Sequence, residues 1–200
     1  MRTLKLLLAL LIVIGTAPMA LAHDDRDRNT VHARLSGYNE VHFIANVPAL
    51  RGAISTAARG TFRATIHESP PSIDYTITYE GLEGTVTQSH IHFGQPRTVG
   101  GIVVWLCQTT AAPAPAAVSA ATPTCPGPHD GTVTGTILPG QVITVVGQGI
   151  SAGEFTELVR AIRAGVTYAN VHSAGAGGVA ADFNAGEIRG PISGGGDHDD

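Results

Sequence analysis

Lysine is almost missing from this 200-residue chain: Lys5 is the only one. Schiff-base chemistry and lysine nucleophiles are therefore excluded beyond that point. Cysteine is scarce as well. Only Cys107 and Cys125 occur, with no Cys-x-x-Cys, so neither a redox dithiol nor a zinc knuckle is suggested. Aromatic residues make up 5% and charged residues 14%, with a formal net charge of −4. An acidic balance without a basic patch argues against nucleic acid as a partner and against anionic membrane surfaces. Also missing are a Gly-x-x-x-x-Gly-Lys phosphate loop, His-Glu-x-x-His and any Asn-x-Ser/Thr sequon.

What is present begins with an export signature. Residues 1–22 read as a secretory signal peptide: Arg2 and Lys5, then an apolar run from Leu6 to Ile14, then Ala20-Leu21-Ala22 as a small-x-small cleavage site. Removing it takes the charge from −4 to −6 and leaves no stretch long enough for a transmembrane helix. The expected location is secreted or periplasmic, where Cys107 and Cys125 should form a disulfide. The Ala/Pro/Thr-rich stretch 108–124 between them has little apparent capacity to pack. Residues 23–30 and 193–200 read as polar, flexible segments, which leaves one domain over 31–192.

Within that domain, Gly, Pro or Asn punctuates the chain every eight to twelve residues. Strands are expected over 31–38, 60–67 and 73–80, where Ile73, Tyr75, Ile77 and Tyr79 alternate with polar residues. Others are expected over 85–93, 101–107, 131–138, 141–146, 168–172 and 187–192. One helix interrupts them. Ser151 and Glu154 form a capping box, Phe155, Leu158, Val159 and Ile162 form an apolar stripe, and Gly165 is placed to end it. Many short strands at this spacing indicate an all-β sandwich or barrel.

The chemistry concentrates in two histidine segments, Ser89-His90-Ile91-His92-Phe93-Gly94 and Tyr168-Ala169-Asn170-Val171-His172-Ser173. In an extended chain alternate side chains share a face, so His90 and His92 project together. His172 is the candidate third metal ligand, and three histidines with an open position suit zinc or copper. Asn170 shares the face of His172 and could fix a tautomer. Glu187 is a candidate fourth ligand or the acceptor that orients an imidazole. Glu187 and Arg189 also share a face, and an ion pair, mutual or across strands, is their expected role. The competing account is structural, with each histidine donating to a backbone carbonyl. His23 and His198 lie in acidic end segments and offer loose divalent-ion contacts only.

These segments carry a family resemblance. Leu35-Ser36-Gly37-Tyr38-Asn39-Glu40-Val41, residues 73–82, His90-Ile91-His92-Phe93-Gly94, Tyr168–Ser173 and Gly186-Glu187-Ile188-Arg189-Gly190-Pro191-Ile192 resemble, in order and combination, the CHRD domain. That module is named for its occurrence in chordin and is also found in secreted bacterial proteins. The sequence departs from the family pattern at the 107–125 insert and at residues 174–185. His-x-His followed by Phe-Gly is also similar to the copper-ligand strand of copper/zinc superoxide dismutases, but the rest of that ligand set does not appear. The resemblance implies an antiparallel β-sandwich, immunoglobulin-like or superoxide dismutase-like, with one short helix in a crossover. The expected role is a non-enzymatic binding module for an extracytoplasmic protein or small ligand. The alternatives are a superoxide dismutase-like metalloenzyme on His90, His92 and His172, and a purely structural envelope protein.

Overall fold

A computed structural model of the chain describes residues 29–43, 51–175, 183 and 185–194. The expected signal peptide, most of the 23–30 segment, most of the 174–185 connection and the end of the 193–200 tail lie outside the described residues.

Strand β1 (Thr30–Ser36) leads through a 3-10 turn at Gly37–Asn39 to a two-stranded ribbon, β2 (His42–Phe43) and β3 (Arg51–Gly52). A long hairpin follows, β4 (Arg59–Glu68) and β5 (Pro71–Glu80), then β6 (Thr85–Phe93) and β7 (Gly101–Cys107). A helical turn α1 (Ala116–Ser119), β8 (Gly131–Ile137), helix α2 (Phe155–Arg163), β9 (Thr167–Ala174), β10 (Ile188–Pro191) and β11 (Ser193–Gly194) complete the described chain. The main sheet is antiparallel in the order β7-β6-β9-β10-β1-β4-β5-β8, with β11 also on β1. The architecture is thus all-β and sandwich-like, as the strand spacing indicated.

Period-two alternation drives it. Phe62, Ala64 and Ile66 of β4 and Ile73, Tyr75, Ile77 and Tyr79 of β5 are buried, while Thr61, Arg63, Thr65 and Asp74 face water. The pairs Phe62–Ile77 and Ile66–Ile73 lie directly across the ladder, where side chains reinforce each other. The sheet curls until its outer strands approach without pairing. There the Tyr75 hydroxyl donates to the carbonyl of Leu106 at 2.6 Å, linking β5 to edge strand β7. Helix α2 closes the core with Phe155, Leu158, Val159 and Ile162, each buried and each worth roughly 2 kcal/mol in transfer from water. Half of the expected capping box forms: the backbone N–H of Ser151 donates to Glu154 Oε2 at 2.7 Å. Gly165 ends the helix at φ 66.

Three expectations are corrected. Residues 141–146 make no strand, only a 3-10 turn at Pro139–Gln141 and a single bridge between Val145 and Ile150. Their apolar residues are real core contacts, Val142 and Val145 being buried, but Gly147 and Gly149 at φ 79 and 83 turn the chain back before a ladder can extend. The 108–124 stretch does pack. Cys107 and Cys125 are disulfide-bonded, and Ala114 and Val118 bury themselves on Trp105. The Gln108 side chain donates to the carbonyls of Ser119 and Thr122 and accepts from the N–H of Ala114. Finally, the C-terminal tail does not start at 193, because Ser193 and Gly194 pair with His32 and Val31.

Candidate metal centre

The register of four neighbouring strands builds the site. His90 of β6 lies opposite Trp105 of β7 and Asn170 of β9, His92 lies opposite Tyr168, and Asn170 in turn lies opposite Arg189 of β10. Period two then collects Trp105, His90, His92, Tyr168, Asn170, His172 and Arg189 on one face. The intervening Ile91, Val104, Val171 and Ile188 fill the apolar core on the other. The histidine face is nonetheless buried, His90, His92 and His172 being 0%, 7% and 5% exposed.

The three histidines converge. Each offers one nitrogen, and these nitrogens lie within 4.8 Å of one another. His90 Nδ1 and His172 Nε2 are 3.2 Å apart. Two nitrogens bound to one tetrahedral zinc stand about 3.3 Å apart, given bonds of about 2.0–2.1 Å. The Asn170 amide Nδ2 also donates to His172 Nε2, at 2.9 Å. That nitrogen must then present a lone pair, since an imidazole nitrogen carries either a proton or a lone pair. If His90 Nδ1 carries a proton toward it, His90 Nε2 is left with a bare lone pair, buried and without a partner. If the proton sits on Nε2, two lone pairs face each other at 3.2 Å. Neither tautomer serves every nitrogen.

His92 has the same surplus. Its Nδ1 donates to the Gly100 carbonyl at 2.9 Å, which leaves Nε2 as a lone pair, buried and unpartnered. Gly100 is irreplaceable at this acceptor position: a Cβ there would stand 2.0 Å from the Phe93 carbonyl oxygen. Burial keeps these rings neutral, the form that binds metal. It pushes His92 down to about 3 and His90 well below its ordinary value, with His172 adding to both effects.

Aromatic groups wall the trio. The Trp105 indole meets His90 edge-on, ring centres 4.3 Å apart. The Tyr168 ring lies parallel to His92 at 4.7 Å, and the Arg189 guanidinium caps the other side of Tyr168, 3.4 Å from its centre. A three-layer stack of guanidinium, phenol and imidazole results.

The family model for the CHRD domain matches residues 31–192. The chain belongs to the CHRD domain family. No curated protein and no solved structure matches it.

Within this CHRD domain, Glu187 and Arg189 do not pair with each other. Glu187 is fully buried and accepts from the Thr56 hydroxyl, the backbone N–H of Glu83 and the Ser173 hydroxyl. It ties three chain segments together apart from the histidines. Arg189 donates to the carbonyl of Thr98 at 2.7 Å and reaches toward that of Gln95. Tyr168 and Glu40 are among the residues of this region that escaped sequence reasoning. Tyr168 was recoverable, because it precedes Asn170 by two and so shares its face. Glu40 was not, since only the folded chain brings it to Gly186. A Cβ on Gly186, at φ 119, would meet Glu40 Oε2 at 2.5 Å and Asn170 Nδ2 at 3.0 Å. Burial raises the pKa of Glu40 despite nearby Arg189.

Proposed function

We propose that this CHRD-domain protein is an exported, non-enzymatic binding module in which His90, His92 and His172 hold one transition-metal ion, zinc or copper. The carrying observation is the lone-pair surplus: three converging imidazoles, two of them, His90 and His92, each with a buried nitrogen that no protein group serves. An unserved buried polar group costs about 1–3 kcal/mol, and a cation would remove that cost at each nitrogen. The same surplus argues against a role limited to locking strand ends, for which each ring would need its hydrogen bonds complete. Burial favours holding over turnover. A superoxide-handling centre needs an open coordination position that substrate can reach, and these nitrogens are sealed from solvent. The disulfide and the export-type N-terminus fit an extracytoplasmic setting.

The test is elemental analysis of the untagged full chain after it has been offered zinc and copper in turn and dialysed. About one equivalent of one metal is expected, and loss of it in the His90→Ala/His92→Ala double variant. A metal-free wild type would sink the metal reading and move the search to protein or glycan partners.

A further inference from the structure

A cleft of about 530 Å3 opens next to the histidine face, between the 3-10 turn after β1 and the loop joining β6 to β7. Tyr38, Asn39 and Glu40 form one side, Arg97 the other, and Arg189 lies in the floor. The volume is that of a small-ligand site.

Charge is the first pointer. Two guanidinium groups face a single carboxyl group, and burial disfavours the ionised form of that carboxyl. A net-positive cleft on a chain of net charge −4 selects for an anion. Backbone conformation is the second. Arg97 is the only non-glycine residue at positive φ among the described residues, at 62, and an L-residue there carries about 1–2 kcal/mol of strain. The loop is held against that strain. Arg189 donates to the carbonyls of Thr98 and Gln95, and both the backbone N–H and the hydroxyl of Thr98 donate to the Gln95 carbonyl. A buried arginine thus anchors the loop that presents an exposed one. The third pointer is Tyr38, which is 74% exposed at the rim, an aromatic face beside the Asn39 amide.

We propose that this cleft binds a small sugar acid, its carboxylate on Arg97 above the charge of Arg189 and its ring against Tyr38, with Asn39 at the hydroxyls. An aromatic face takes the C–H side of a sugar ring while polar groups around it take the hydroxyls. A guanidinium matches a carboxylate with two parallel N–H bonds. The site needs no metal on the histidines.

Calorimetric titration of the full chain with glucuronate, glucose and acetate at matched ionic strength tests this. Glucuronate should saturate one site, with glucose and acetate each about tenfold weaker or worse. Arg97→Gly removes the charge while suiting the left-handed backbone, so it should fold at least as well and bind about tenfold more weakly. Tyr38→Ala should weaken binding comparably, with an unchanged melting temperature. Arg160→Ala, on the exposed face of helix α2, should bind like wild type. Absence of saturable binding overturns the proposal. Glucose binding as well as glucuronate overturns the anion requirement, acetate binding as well overturns the sugar requirement, and full affinity in Arg97→Gly removes the assigned contact.

Discussion

The Trp105 indole stands edge-on against His90, with ring centres 4.3 Å apart. Trp105 is the only tryptophan in the chain, so its fluorescence reports on the histidine trio alone. Copper(II) bound to His90 should quench that emission strongly and level off near one equivalent. Zinc added first should block the quenching. The His90→Ala/His92→Ala variant should show only the weak, unsaturable quenching of free copper. A wild-type titration that resembles the variant would mean that copper does not reach these rings.

Glu187 is a structural anchor whose value is independent of metal. Its carboxylate takes donors from Thr56, Glu83 and Ser173 while fully buried. Glu187→Gln keeps the shape but turns an N–H2 group toward one or more donors, at a cost of about 2–4 kcal/mol. Urea denaturation should show the midpoint falling with the slope unchanged. Metal stoichiometry should stay at the wild-type value in the folded variant. A stability change under about 0.5 kcal/mol, the size typical of ordinary surface substitutions, would show that the network does not hold the sheet.

Glu40 should give the protein a distinctive pH dependence. Burial raises its pKa above the ordinary 4.5, outweighing Arg189 and the Val41 N–H. The folded state therefore holds the proton more tightly than the unfolded state does. The stability from this group is fully present below pH 4.5 and is lost as pH rises through the folded value. Once ionised, this group is a buried, half-satisfied charge, since Oε2 has no partner. Glu40→Gln removes that charge and should melt higher than wild type at neutral pH, with the gap closing under acid conditions. Thermal melts across that range decide it; a gap that does not change with pH would rule out titration of Glu40 as its origin.

Sequence periodicity reached far into this molecule because its strands are governed by local alternation. The β4–β5 hairpin and helix α2 are legible residue by residue: Ile73, Tyr75, Ile77 and Tyr79 point inward for the same reason that they alternate. The histidine grouping was legible too, since a two-residue period must place His90 beside His92. Pairing register was not. Nothing local announces that Asn170 lies opposite both His90 and Arg189, or that Trp105 becomes the wall of the site. The 141–146 segment misled because an apolar alternation packed on the edge of a core looks like one running through a sheet. The 108–124 stretch misled in the opposite sense. Its small residues need only Gln108 and a disulfide to fold over one indole.

Strands β6 and β9 divide their labour by parity. Odd positions such as Ile91 and Val171 belong to the apolar core, and even positions such as His90, Asn170 and His172 belong to the site. The chemistry of the site-facing positions can therefore diverge while the core-facing positions hold the sheet together. A lineage could exchange one ligand set for another, or lose it, by substitutions that never touch the residues on which folding depends.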